Sequence, residues 1–122
     1  MKLKLPERRR FIRIEVPLKV SIKAGGRVDE VVTKNISPIG MRFEIDKELS
    51  DTETLNMSLV LPSSDTPVCL KGRVVWQSKT TLEDSAPYDV GVEIMEIEDK
   101  GKNVFLKYLC DLLYESTFKT RN

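Results

Sequence analysis

The chain has 122 residues and 40% hydrophobic side chains, enough for one small core and little more. Its 20 basic and 19 acidic residues leave a formal net charge of +1, which argues against nucleic-acid binding through bulk cationic charge. With no histidine, it has neither a histidine base nor a histidine metal ligand.

The near-neutral total conceals an uneven distribution. Residues 1–13 hold six basic residues (Lys2, Lys4, Arg8, Arg9, Arg10 and Arg13) and one acid, Glu7, a net of +5. Residues 14–122 hold 14 basic and 18 acidic residues, a net of −4. Charge repulsion within the arm and its few apolar side chains predict a mobile basic terminus on an acidic body. No apolar stretch reaches signal-peptide length, and none approaches the ~20 residues of a membrane span. No membrane insertion is expected, and the default location is the cytoplasm.

Behind the arm the period is two. Ile12, Ile14, Val16, Leu18, Val20 and Ile22 occupy successive even positions, which predicts a half-buried strand with an irregularity at Pro17. Ala24-Gly25-Gly26-Arg27 is a turn signal, and Val28–Ile36 reads as the returning strand. Residues 35–40 form a turn-rich stretch. Alternation resumes at Met41–Ile45, Leu55–Leu59, Val68–Gln77 and Tyr88–Ile94, with polar loops at 62–67 and 78–87. Short strands at roughly ten-residue intervals predict an antiparallel barrel or sandwich. Trp76 and the phenylalanines are read as core at this spacing.

After Asp99, read as the N-cap, Val104, Phe105, Tyr108, Leu109, Leu112 and Leu113 change the period to that of a helix with one apolar stripe. That stripe must be buried on the barrel or on a partner. The predicted organisation is an arm (1–13), a barrel (14–98) and a helix (99–118) within one domain. Cys69 and Cys110 make no CxxC pair and read as half-buried thiols in a reducing compartment.

Two stretches could carry chemistry. Arg9 and Arg13 stand four apart, with Arg8 directly before them; guanidinium groups match phosphate oxygens and fork onto a guanine edge. Further on, Asn35-Ile36-Ser37-Pro38-Ile39-Gly40 offers two short polar side chains and a glycine that permits close backbone approach or a positive φ. RxxxR at the head of the first strand, followed about two dozen residues later by [D/N]xSxxG, resembles the PilZ family. Val74-Val75-Trp76, Val90-Gly91-Val92-Glu93-Ile94 and the final helix extend the resemblance over about residues 7–115.

The resemblance implies a six-stranded antiparallel β-barrel with a C-terminal helix and binding of the bacterial second messenger cyclic di-GMP. It implies that Arg9 and Arg13 grip phosphates and the Hoogsteen edge of a guanine. Asn35 and Ser37 would hydrogen-bond the other guanine or its adjacent backbone, and Gly40 would keep the floor of the site clear. Asn35 stands where the family often has aspartate, so its bond to a guanine N–H lacks the charge. An arginine at the Arg8 position goes with an intercalated pair of ligand molecules. Arg10 is an additional arginine, equally consistent with a solvated side chain.

No Walker A loop, Ser-His-Asp set or metal-ligand cluster is present, so neither an enzyme nor a cofactor is expected. The expected role is a signal-transduction receptor that changes conformation on binding and regulates an unidentified protein effector in trans. A homodimer through the C-terminal helix is a further expectation. The alternative is a PilZ-like protein-protein interaction module that acts without ligand. A barrel for single-stranded nucleic acid is less consistent with an acidic body that is 7% aromatic.

Overall fold

The computed structural model describes residues 13–62 and 64–121, with side chains as far as Glu115. Residues 1–12, including Arg8, Arg9 and Arg10, lie outside the described residues. Six antiparallel strands close into a barrel: β1 (Lys19–Ala24), β2 (Arg27–Ser37), β3 (Gly40–Ile45), β4 (Leu55–Leu59), β5 (Val68–Lys79) and β6 (Tyr88–Ile97). Their order around the barrel is β1-β2-β3-β6-β5-β4, and β1 pairs with β4 to close it. Closure leaves the ladder without a free edge. Helix α1 (Asp99–Arg121) follows.

The alternation expected from the sequence defines the core. Val20, Ile22, Phe43, Leu55, Leu59 and Val90 face inward and are fully buried. Phe105 and Leu109 of α1 join the same cluster. Among the described residues, no helix is long and apolar enough to cross a membrane.

The β1–β2 hairpin turns on Gly25 (φ 58°) and Gly26 (φ 77°), with Ala24 opposite Arg27. Two successive positive φ values match a two-residue type I′ turn, a conformation that side-chain-bearing residues adopt at a cost.

Several expectations are corrected in detail. The strand expected from residue 12 becomes regular only at Lys19. Upstream, a single bridge pairs Ile14 with Ile36 through two backbone bonds of 2.8 and 2.9 Å. The break spans Pro17, which has no N–H to donate. Thr33 fills the gap: its Oγ1 donates to the Val16 carbonyl (2.6 Å) and accepts the Leu18 N–H (2.9 Å). Thr33 is thereby fully satisfied although only 3% exposed.

The returning strand runs one residue further than expected, through Ser37, and the reversal is confined to Pro38 and Ile39. The helix opens on Glu98, whose carbonyl accepts the Lys102 N–H (3.1 Å), so Asp99 stands in the first turn and not at the cap. Cys69 and Cys110 are free and exposed, not half-buried.

Thr33→Val keeps the shape but leaves the buried Leu18 N–H without its acceptor. It is expected to cost about 1–3 kcal/mol, read as a lower urea midpoint at unchanged slope. An unchanged midpoint would show that Thr33 does not hold the segment around Pro17.

Candidate functional site

Two register shifts decide which side chains the barrel shows to solvent. In β2, Val31 and Thr33 face inward, and strict alternation would bury Asn35 as well. A bulge between Thr33 and Asn35 instead turns Ile36 inward and Asn35 outward. In β5, Val68, Leu70 and Val74 face inward, and alternation would bury Trp76. A bulge between Val74 and Trp76 places both Val75 and Trp76 outside. The core position expected for Trp76 is therefore corrected: it is 44% exposed.

The bulges bring four residues into one row across the outer face. Asn35 pairs with Arg42, Arg42 with Gly91, and Gly91 with Trp76. The indole of Trp76 lies against Gly91, where a Cβ would run into its ring nitrogen. The Arg42 guanidinium stands 5.8 Å from the indole centroid, in cation–π range. Asp89 fixes that guanidinium with a fork, accepting from Nε at 2.9 Å and from Nη2 at 2.5 Å.

The hydrogen bond from Arg42 holds the Asp89 carboxyl below the usual carboxylate range. Burial opposes the shift, while the charges of Arg42 and Lys34 reinforce it. The same hydrogen bond raises the Arg42 pKa further.

The Ile14–Ile36 bridge lays the end of the basic arm beside this row. It brings Arg13 within reach of β2, and Arg13 Nη1 donates to Asn35 Oδ1 at 3.1 Å. These two side chains lie 22 residues apart in sequence, one in each predicted motif.

Next to them opens a cleft of about 790 Å³, within the size range of small-molecule sites. Arg13, Gly40, Trp76, Gly91, Arg73 and Glu93 are among its lining residues. Gly40 lies where β3 and β6 approach so closely that a Cβ would come within 2.6 Å of the Val92 carbonyl oxygen. Close approach, not a positive φ, is thus what this position requires.

The sequence-predicted residues take different places. Arg13 and Gly40 line the cleft, and Asn35 holds Arg13 from beside it. Ser37 is 1% exposed, and its Oγ accepts the Ile39 N–H (3.3 Å), bracing the Pro38–Ile39 turn. Arg8 and Arg9 lie outside the described residues.

In the sequence Trp76 could stack a base but reads as core at strand spacing, and Arg42 and Asp89 carry no signal. The adjacent apolar pair Val75-Trp76 is the one sequence sign that alternation fails there. A smaller cleft of about 450 Å³ between β4 and β5 is lined by Lys23, Asn56, Cys69 and Lys71 among others, with no arginine.

The family model for the PilZ domain matches residues 7–110, which takes in all six predicted site residues. No curated protein matches the chain. Solved structures share its fold. The PilZ domain of YcgR from Escherichia coli with c-di-GMP superposes with a TM-score of 0.67 at 12% identity, covering 94% of this chain and 98% of that one. The Bacillus subtilis inhibitor of motility MotI/DgrA gives 0.71 at 20% identity, covering 88% of this chain and 52% of that one. MrkH of K. pneumonia in complex with c-di-GMP gives 0.70 at 20% identity, covering 91% and 55%. The chain spans about half the length of MotI/DgrA and MrkH.

The Asp89 carboxylate carries a pH prediction. A carboxyl whose pKa is lowered on folding stabilises the fold above its unfolded value, and that contribution disappears as pH falls through the lower folded value. Protonation of Asp89 is therefore expected only at pH below the usual carboxylate range, freeing Arg42 from its fork. Trp76 is the chain's one tryptophan, so its fluorescence reads the change directly. An acid transition in emission should be present in the native protein and absent in Asp89→Asn; the same transition in both would contradict the assignment.

Proposed function

Because the chain belongs to the PilZ domain family, we propose that it is a receptor for cyclic di-GMP. The observation that carries the reading is the Arg13–Asn35 hydrogen bond at the edge of the cleft. It joins the two motif stretches at one place, with an aromatic face beside them.

The ligand offers two phosphates and two guanines. Arg13 and Arg9 take phosphate oxygens and the O6/N7 edge of a guanine, the acceptors a guanidinium fork fits. Asn35 accepts a guanine N–H through Oδ1, shared with or released by Arg13. The Ser37 hydroxyl still has a proton to donate after accepting from Ile39, and Gly40 leaves the floor open to a flat base. Trp76, held over Gly91 with Arg42 beside it, presents an aromatic surface for stacking. Arg8 adds a further cation, which suits the four phosphates of an intercalated ligand pair.

On binding, residues 8–13 close over the cleft and lose their mutual repulsion against the phosphates. The altered surface is read in trans by a partner protein or a second copy of the chain. The outward side of α1, where Val104 is 39% exposed, is one place for that contact. No catalytic step is assigned. Related proteins named for c-di-GMP complexes, the YcgR domain and MrkH, support the choice of ligand.

Calorimetry with the purified protein tests this reading. Binding at micromolar affinity or tighter is expected. Arg9→Ala and Arg13→Ala should each weaken it roughly tenfold or more, as loss of charge-assisted hydrogen bonds does. No heat at millimolar ligand would contradict it.

A further inference from the structure

A cleft for a doubly anionic ligand should not carry carboxylates, yet Asp51 and Glu93 both line this one. A carboxylate there is unfavourable beside phosphates unless the ligand turns N–H donors toward it. Of the common bases, guanine alone places two such donors side by side, N1–H and the 2-amino group.

Glu93 is built for that edge. It lies on β6, opposite Gly40 on one side and Arg73 on the other. The Ile94 N–H next to it donates to the Ile39 carbonyl at 2.8 Å, tying β6 to the turn below the cleft. Asp51, by contrast, sits on the connection between β3 and β4, and loops hold geometry less well than strands.

Arg73 Nε donates to Glu93 Oε1 at 3.1 Å and orients the carboxylate from one side. A carboxylate has about four lone-pair positions, so Oε1 and Oε2 can both still accept. The two side chains are 58% and 48% exposed, so little free energy holds them against a ligand. Gly40, bare of side chain, leaves the approach to Glu93 clear.

We propose that Glu93 is the specificity-determining residue of the cleft: its carboxylate accepts the N1–H and 2-amino protons of one guanine, with Arg73 positioning it. The proposal rests on the cyclic di-GMP reading and adds to it a charged acceptor, one that Asn35 does not supply. Arg13, in the same cleft, remains available for the O6/N7 edge of the base.

The test compares cyclic di-GMP with cyclic di-IMP, which lacks only the 2-amino groups, on the full chain and two variants. In Glu93→Gln the amide oxygen stays with Arg73 and the amide N–H faces the guanine donors. The native protein should prefer cyclic di-GMP by roughly tenfold or more, the range of a bidentate base contact. Glu93→Gln should lose most of that preference and Asp51→Asn should keep it. Equal preference in native and Glu93→Gln protein, no preference in the native protein, or loss confined to Asp51→Asn would each overturn the assignment to Glu93. Failure of the native protein to bind cyclic di-GMP at all would instead overturn the receptor reading, and this proposal with it.

Discussion

A closed antiparallel barrel admits apolar side chains on its inner face and sends alternate residues outward. The register shift between Thr33 and Asn35 is where this constraint and the site meet. Without it, an amide would be buried in the core and Ile36 would stand in water. With it, Ile36 is fully buried, Asn35 faces out, and Ile36 can pair with Ile14. That pairing is what carries Arg13 to the barrel wall. The Thr33 hydroxyl supports the same segment from inside, replacing the ladder bonds lost around Pro17. The second shift, at Val74–Trp76, does for an aromatic ring what the first does for an amide.

Charge follows the same division. The body is net −4, and four of its 18 acids pair with cations around the barrel wall: Asp89 with Arg42, Glu44 with Lys34, Asp29 with Lys47 and Glu93 with Arg73. Each exposed pair contributes little to stability. Their effect is local, since they fix where cations stand. Arg42 is held over Trp76 by the Asp89 carboxylate and is thereby partly neutralised. Arg13 has only the neutral Asn35 amide among its described hydrogen-bond partners and keeps its full charge toward the cleft. Among the described residues, Arg13 is therefore a cation that an anion entering the cleft meets without a carboxylate fork on it.

Much of the fold was legible because period-two patterning is a direct record of which face is wet. The β4 boundaries, the two-glycine turn and the helical stripe follow from side-chain type alone. What was not legible turns on single-residue shifts and long-range pairs. Trp76 reads as core under strict alternation, and only the bulge expels it. Asn35 and Ile36 read both as the end of the returning strand and as the start of a turn-rich stretch, and pairing to Arg42 and Gly40 carries the strand through Ser37. Arg42 and Asp89 lie 47 residues apart, and no local pattern connects them. Arg13 and Asn35 stand out in the sequence through two separate motifs, and nothing there pairs one with the other; their hydrogen bond joins the motifs in space. Pro17 marked a break correctly, but the residue that repairs it, Thr33, could not be found without the register.

The central claim is that cyclic di-GMP binds on the outer wall of the barrel, where the basic arm meets the row from Asn35 to Trp76. Amide chemical-shift mapping during a titration of the full chain tests it most directly. The account predicts saturable shifts concentrated at Arg13, residues 35–40, the Trp76 indole and residues 91–93. Shifts centred on the smaller cleft around Lys23, Asn56 and Cys69, or none at saturating ligand, would contradict it.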